Sequence, residues 1–123
     1  MTDDATLARL IGATTLGSGL GLVVAPRLAL RLMGAETPAP APLLYRVVGM
    51  FMGVAGGLLL DGADERVVVR WALVQKTGAV AGVGLGVARG DYRKRALAVA
   101  AFDAVSAVAL ARMLGAPKAP AGR

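Results

Sequence analysis

Charged residues divide the chain into four long apolar stretches, from about Leu7 to Val24, Leu43 to Leu60, Val67 to Ala88 and Arg95 to Leu114. Each is close to the roughly 20 residues that a helix needs to cross the hydrocarbon core of a bilayer. None alternates apolar and polar residues with period two, and β-branched residues share the stretches with Ala, Leu and Gly, so helices are predicted and not strands. A soluble antiparallel four-helix bundle would need a polar face on every helix at the 3.6-residue period. The run from Val47 to Leu60 contains no charged or strongly polar residue. A helix apolar on all sides is buried or in lipid. The pattern therefore predicts an all-α fold, a transmembrane four-helix bundle with residues 1–114 as one membrane domain.

The connectors differ in character. Pro26 to Gly34 places proline at a first helical position and glycine at a C-terminal cap. Arg27 and Arg31 are four residues apart and share one face. A short interfacial helix between spans one and two is expected here, its arginines toward headgroups and its leucines in the acyl boundary. Glu36 to Pro42 reads as an extended, proline-rich linker. Asp61 to Arg66 is short and acidic, a tight turn that makes spans two and three antiparallel neighbours, whereas Arg89 to Arg95 is short and basic. The tail from residue 115 to residue 123, with Pro117, Pro120 and Gly122, is expected to be mobile. At the other end, Met1-Thr2-Asp3-Asp4 lacks the basic start of a secretory signal, so the first stretch is expected to be retained as a span. Asp3 or Asp4 suits the positive end of its helix dipole.

Four spans put both termini on the side of the 61–66 turn. Arg9, Arg66, Arg70, Arg112, Lys118 and Arg123 fall there, against Arg27, Arg31, Arg46, Arg89, Arg93, Lys94 and Arg95 opposite. Six basic residues against seven give little orientation by the positive-inside rule. The density of the 89–95 loop places that loop in the cytoplasm and both termini outside.

Composition narrows the chemistry. Of 123 residues, 56% are hydrophobic and 18% charged, against roughly 25% charged in average soluble domains. Mean hydropathy is +0.63. There is no Cys and no His, which excludes disulfides, thiolate chemistry, histidine-ligated haem, the usual zinc sites and the common nucleophile pairs. An independent enzyme, a bound metal and a cofactor are not expected. The net charge of +6 and pI near 10.8 do not mark a nucleic-acid binder, because the basic residues punctuate apolar runs and form no basic face with interleaved aromatics.

Two patterns of small residues stand out. Arg9-Leu10-Ile11-Gly12 matches Arg46-Val47-Val48-Gly49, and at the same 37-residue offset Gly19 matches Gly56 and Leu22 matches Leu59. Consecutive spans run in opposite directions, so Arg9 and Arg46 are expected at opposite membrane faces as snorkelling interfacial anchors, alongside Arg27 and Arg31. Separately, Gly49, Gly53 and Gly57 and then Gly78, Gly82 and Gly86 recur four apart, which predicts ridges for close helix packing.

Two charges lie deep in apolar sequence. Lys76 is near the middle of the third stretch and Asp103 near the middle of the fourth. Antiparallel spans joined by a short loop bring the two to similar depth, within about a helical turn. An isolated charge at that depth costs about 2.5 to 3.5 kcal/mol on insertion scales, so an intramembrane Lys76–Asp103 pair is expected. Ala96, Ala100, Ser106 and Ala107 form a small-residue face around Asp103 that leaves room for the lysine. Gln75 and Tyr45, with Ser106, are candidates to extend a polar network. The pair serves either as a register-fixing salt bridge or as a proton or substrate relay.

Arg46-x-x-Gly49 with its later glycines, preceded by Pro26-Arg27-x-x-x-Arg31-x-x-Gly34, resembles the small four-helix bacterial membrane proteins related to DoxX. The resemblance spans most of residues 7 to 114. It implies a four-helix membrane bundle and an association with quinone-linked redox complexes, and it carries over no active-site residue. The expected function is that of a small multi-pass cell-membrane protein of structural or accessory type, packed in a larger membrane complex or self-associating. The alternatives are a small transporter or proton-coupled carrier using Lys76 and Asp103, and a quinone- or lipid-binding partner of a membrane oxidoreductase.

Overall fold

A computed structural model describes residues 2–36, 38 and 41–117. It is all-α: α1 (Thr2–Val24), α2 (Pro26–Leu32), α3 (Ala41–Asp61), α4 (Arg66–Arg89), a single 3₁₀ turn (Lys94–Ala96) and α5 (Leu97–Gly115). The four predicted stretches coincide with α1, α3, α4 and α5, and the predicted interfacial helix with α2. Among the described residues three helices, α1, α3 and α5 with its 3₁₀ turn, are long and apolar enough to cross a membrane. Only 28%, 17% and 22% of their most apolar stretches is buried within the molecule. Large apolar side chains such as Phe51, Trp71 and Val105 stand exposed instead. The fourth expected span, α4, is 24 residues long but falls outside this set. Arg70, Gln75, Lys76 and Thr77 dilute its apolar content.

The termini of the helices follow local chemistry. Pro26 opens α2, where its missing N–H costs nothing. Gly34 adopts φ 76°, and Ala35 N donates to Leu30 O at 2.9 Å to close the helix. Gly90, at φ 82°, ends α4 in the same way, with Asp91 N donating to Gly86 O at 2.8 Å. Asp3 and Asp4 lie within the first turn of α1 and not ahead of it, still beside the positive helix end. Ala41 and Pro42, expected in the proline-rich linker, already belong to α3, and residues 37, 39 and 40 of that linker lie outside the described residues. The expectation of a mobile tail falls largely on residues 118–123, which lie outside the described residues.

The helices associate as two close pairs, α1 with α3 and α4 with α5, and the pairs meet each other much less extensively. Both pairs are antiparallel. In the first, a Cβ on Gly12 would stand 2.8 Å from Gly56 O, and one on Gly19 only 2.6 Å from Gly49 O. Backbone therefore lies directly on backbone. The flanking contacts repeat the same relation, with Leu59 beside Gly12 and Leu22 beside Gly49. All six belong to the 37-residue repeat, and each contact recurs with the two copies exchanged. The interface is self-complementary about an axis perpendicular to both helices, as in a two-fold dimer.

The expected four-spaced ridges pack differently. Gly49 is in the interface, but a Cβ on Gly53 would meet only Leu16 Cδ1 at 3.8 Å, and one on Gly57, Gly78 or Gly82 would meet nothing within 4 Å. Gly86 packs against the Tyr92 ring of the following turn and not against a neighbouring helix. Gly57, Gly78 and Gly82 thus face open space, while the seven-residue spacing of Gly12 and Gly19, and of Gly49 and Gly56, tracks the line of contact between α1 and α3.

Both pairs close at the end bearing the 61–66 turn. Ala8, Ile11, Leu59, Ala63, Val69, Ala72 and Leu110 form the core there. Arg9 bridges to Asp64 at 3.2 Å, and Arg66 donates to the carbonyl of Leu114. At the opposite end Arg93 N donates to Met33 O at 3.2 Å, and the Arg95 guanidinium donates to Arg31 O. The ends are thus disposed as the alternation of segments requires, with Arg9 and Arg46 at opposite ends of their pair.

Candidate functional site: a chamber between the helix pairs

Lys76 and Asp103 meet at the centre of the α4–α5 pair. Lys76 Nζ donates to Asp103 Oδ1 at 2.7 Å, and the two side chains are 2% and 8% exposed. The ammonium also stands 5.0 Å from the centroid of the Phe102 ring, close enough for attraction to the ring face. Small neighbours make this approach feasible: Ala72 is buried on α4, Ala100 and Ser106 on α5, and Ala96 in the 3₁₀ turn. Asp103 accepts a short charge-assisted bond, so neither charge is left alone in an apolar setting.

The predicted network does not form. Among the described residues Gln75, Tyr45 and Ser106 make no hydrogen bond to the pair. Ser106 is buried one turn beyond Asp103. Gln75 and Tyr45 instead line a chamber of about 890 Å³ between the two helix pairs. The four anchor candidates, Arg9, Arg27, Arg31 and Arg46, are exposed at the helix ends.

The chamber begins where the core stops. Its inner end is formed by Thr15, Lys76 and Asp103, and its outer end by Ala25, Tyr45 and Tyr92. Thr15 donates its hydroxyl to Ile11 O at 2.8 Å, which removes that group as a polar feature of the wall. Leu28, Leu32 and Met33 of α2 cover the outer part. Phe51 and Leu32, both lining residues, are 73% and 66% exposed, so the chamber opens sideways between the pairs. From Thr15 to the end of α1 at Val24 is nine residues of helix, a rise of about 14 Å. That is one leaflet of a hydrocarbon core roughly 30 Å thick.

A second, polar recess of about 750 Å³ adjoins the chamber at the loop end, lined by Glu36, Arg89, Asp91 and Arg93. Tyr45, Gly82 and Tyr92 line both compartments. Burial raises the Tyr92 phenol above its ordinary value of 10.0. Sequence reasoning found Lys76, Asp103, Gln75 and Tyr45 but missed Phe102, Tyr92 and Thr15. Aromatic residues are few enough (4%) to have been examined one by one, yet no spacing ties Tyr92 to Tyr45 before α2, α3 and α4 are brought together.

No protein-family model matches the chain, and no curated protein or solved structure matches it. Among the described residues no cluster of acidic side chains is suited to a metal ion. The site presents an apolar wall, a neutralised ion pair at one end and mixed charges at the other.

Proposed function

We propose that this protein is a four-span cell-membrane protein, related to the DoxX-like bundles, that binds one amphiphilic molecule, lipid-like or quinone-like, between its two helix pairs. The chamber carries this reading. Its volume of about 890 Å³ lies within the roughly 300–1,000 Å³ of typical small-molecule sites. The loose association of the two pairs supports it as well, because in lipid no hydrophobic drive closes a gap between helices. Membership of α4 among the spans rests on its charges. Arg70 and Arg89 lie near its ends, Lys76 is neutralised by Asp103, and 18 residues from Trp71 to Ala88 separate the two arginines.

Mild-detergent purification of the full chain, followed by mass spectrometry of an organic extract, tests the reading. One amphiphile per chain is expected. Gly82→Leu places a side chain into the chamber, where a Cβ meets nothing within 4 Å, and is expected to lose the molecule while keeping the helical fold. A wild-type protein that carries no such molecule overturns the reading in favour of an accessory subunit, whose signature is stoichiometric co-purification with larger membrane proteins. The carrier reading is favoured by one observation, that the chamber ends on Lys76 and Asp103. Uptake by proteoliposomes that Asp103→Asn abolishes would select it.

A further inference from the structure

The polar recess makes the binding site two-part, and its chemistry narrows the ligand. Arg89 and Arg93 line the recess with Glu36 and Asp91. Among the described residues none of these four is ion-paired. Arg93 is held by its neighbours, since its stem packs over Gly34 and its N–H bonds Met33 O at 3.2 Å. Its guanidinium is thus presented from a fixed backbone. The recess is built from the end of α4, the loop after it and the linker before α3, so it lies at the level where a bilayer has its headgroups. Below it the chamber is one leaflet deep and opens sideways between the pairs. Tyr45, Gly82 and Tyr92 make the two compartments continuous. Tyrosines at that level suit a boundary with one apolar and one wet side.

We propose that the occupant is an acidic phospholipid of that leaflet, its phosphate at Arg89 and Arg93 and one acyl chain in the chamber. Guanidinium groups match phosphate oxygens in a bidentate geometry that lysine lacks. Arg27, Arg31, Arg46, Lys94 and Arg95 are exposed as well but do not line the recess. The buried, neutralised Lys76–Asp103 pair leaves the inner wall acceptable to a hydrocarbon chain. This inference rests on the amphiphile-binding reading above and adds the head group to it.

Native mass spectrometry of the full chain in detergent, with equal amounts of phosphatidylglycerol and phosphatidylcholine of identical chains, is the test. The wild type is expected to retain one lipid and to prefer phosphatidylglycerol by roughly tenfold. Arg89→Gln with Arg93→Gln is expected to abolish the preference while phosphatidylcholine still binds. Arg27→Gln with Lys94→Gln removes the same charge outside the recess and is expected to keep the preference. Gly82→Leu is expected to lose both lipids. Equal binding of the two lipids by the wild type, or the same loss of preference in both double variants, overturns the head-group assignment alone. Full retention of phosphatidylglycerol by Gly82→Leu overturns instead the placement of the acyl chain in the chamber, and with it the amphiphile-binding reading. Binding of neither phospholipid also overturns the head-group assignment, and the amphiphile reading then stands or falls on whether the extract of the protein purified from membranes holds another amphiphile.

Discussion

Lys76 Nζ and Asp103 Oδ1 lie 2.7 Å apart on adjacent antiparallel helices, at the level where the packed core gives way to the open chamber. One ion pair thus fixes the register of α4 against α5 and forms the inner end of the chamber. The position matters because α4 and α5 have few other polar contacts along their length to choose among neighbouring registers.

Removing one partner is expected to cost far more than removing both. Lys76→Met leaves a buried carboxylate, a loss of about 3 kcal/mol or more. Adding Asp103→Leu is expected to recover most of that loss, because apolar replacements of a buried pair are often nearly neutral. Unfolding in detergent of Lys76→Met, Asp103→Leu and the double variant measures the coupling. Additive losses would show that the two side chains do not interact.

The exposed pair behaves differently. Arg9 and Asp64 meet at 3.2 Å with side chains 49% and 73% exposed. Surface pairs contribute about 0 to 1 kcal/mol, so Asp64→Asn is expected to leave the melting temperature nearly unchanged. A loss as large as that of Lys76→Met would mean that this end of the molecule is far less hydrated than its exposure indicates.

Glycines on the repeat and off it separate cleanly. A Cβ on Gly19 would stand 2.5 Å from Gly53 N, in rigid backbone, whereas one on Gly57 meets nothing within 4 Å. Gly19→Ala is expected to push α1 from α3 and lower stability markedly. Gly57→Ala is expected to be neutral or stabilising by about 0.5 to 1 kcal/mol, since alanine restricts the unfolded chain. Thermal unfolding of the two variants checks this, and equal effects would argue against the α1–α3 interface.

Absence of cysteine permits an orientation measurement with single introduced thiols. Asp64→Cys and Asp91→Cys occupy opposite ends of the helices. The orientation expected from the basic 89–95 loop has an impermeant thiol reagent, applied to intact cells, label the first and spare the second. Labelling of the second alone reverses the orientation, and with six basic residues against seven one added lysine in the 61–66 turn is expected to shift the outcome.

Helices were legible in the sequence because apolar length and the absence of period-two alternation depend on local residues alone. So were α2, with proline at its start and glycine at its end, and the depth match of Lys76 with Asp103, which follows from counting residues on either side of a short loop. The repeat was legible as well, but its meaning was not. Its 37-residue offset named Gly12, Gly19, Gly49 and Gly56, whereas the more regular four-residue spacing drew attention also to Gly57, Gly78 and Gly82, where a Cβ would meet nothing within 4 Å. Spacing reports which residues share a face and leaves open which face meets a partner.

The chain by itself determined its helices, their apolar character and the single pair of opposite charges that had to meet. Tertiary structure alone decided that four long helices associate as two pairs with a leaflet-deep chamber between them, that Tyr45 and Tyr92 both line its outer end, and that α2 covers it. The physical reason is that composition sets the solvent a helix can tolerate, a property of each segment, while a cavity is what remains between surfaces that do not fit, a property of no segment taken alone.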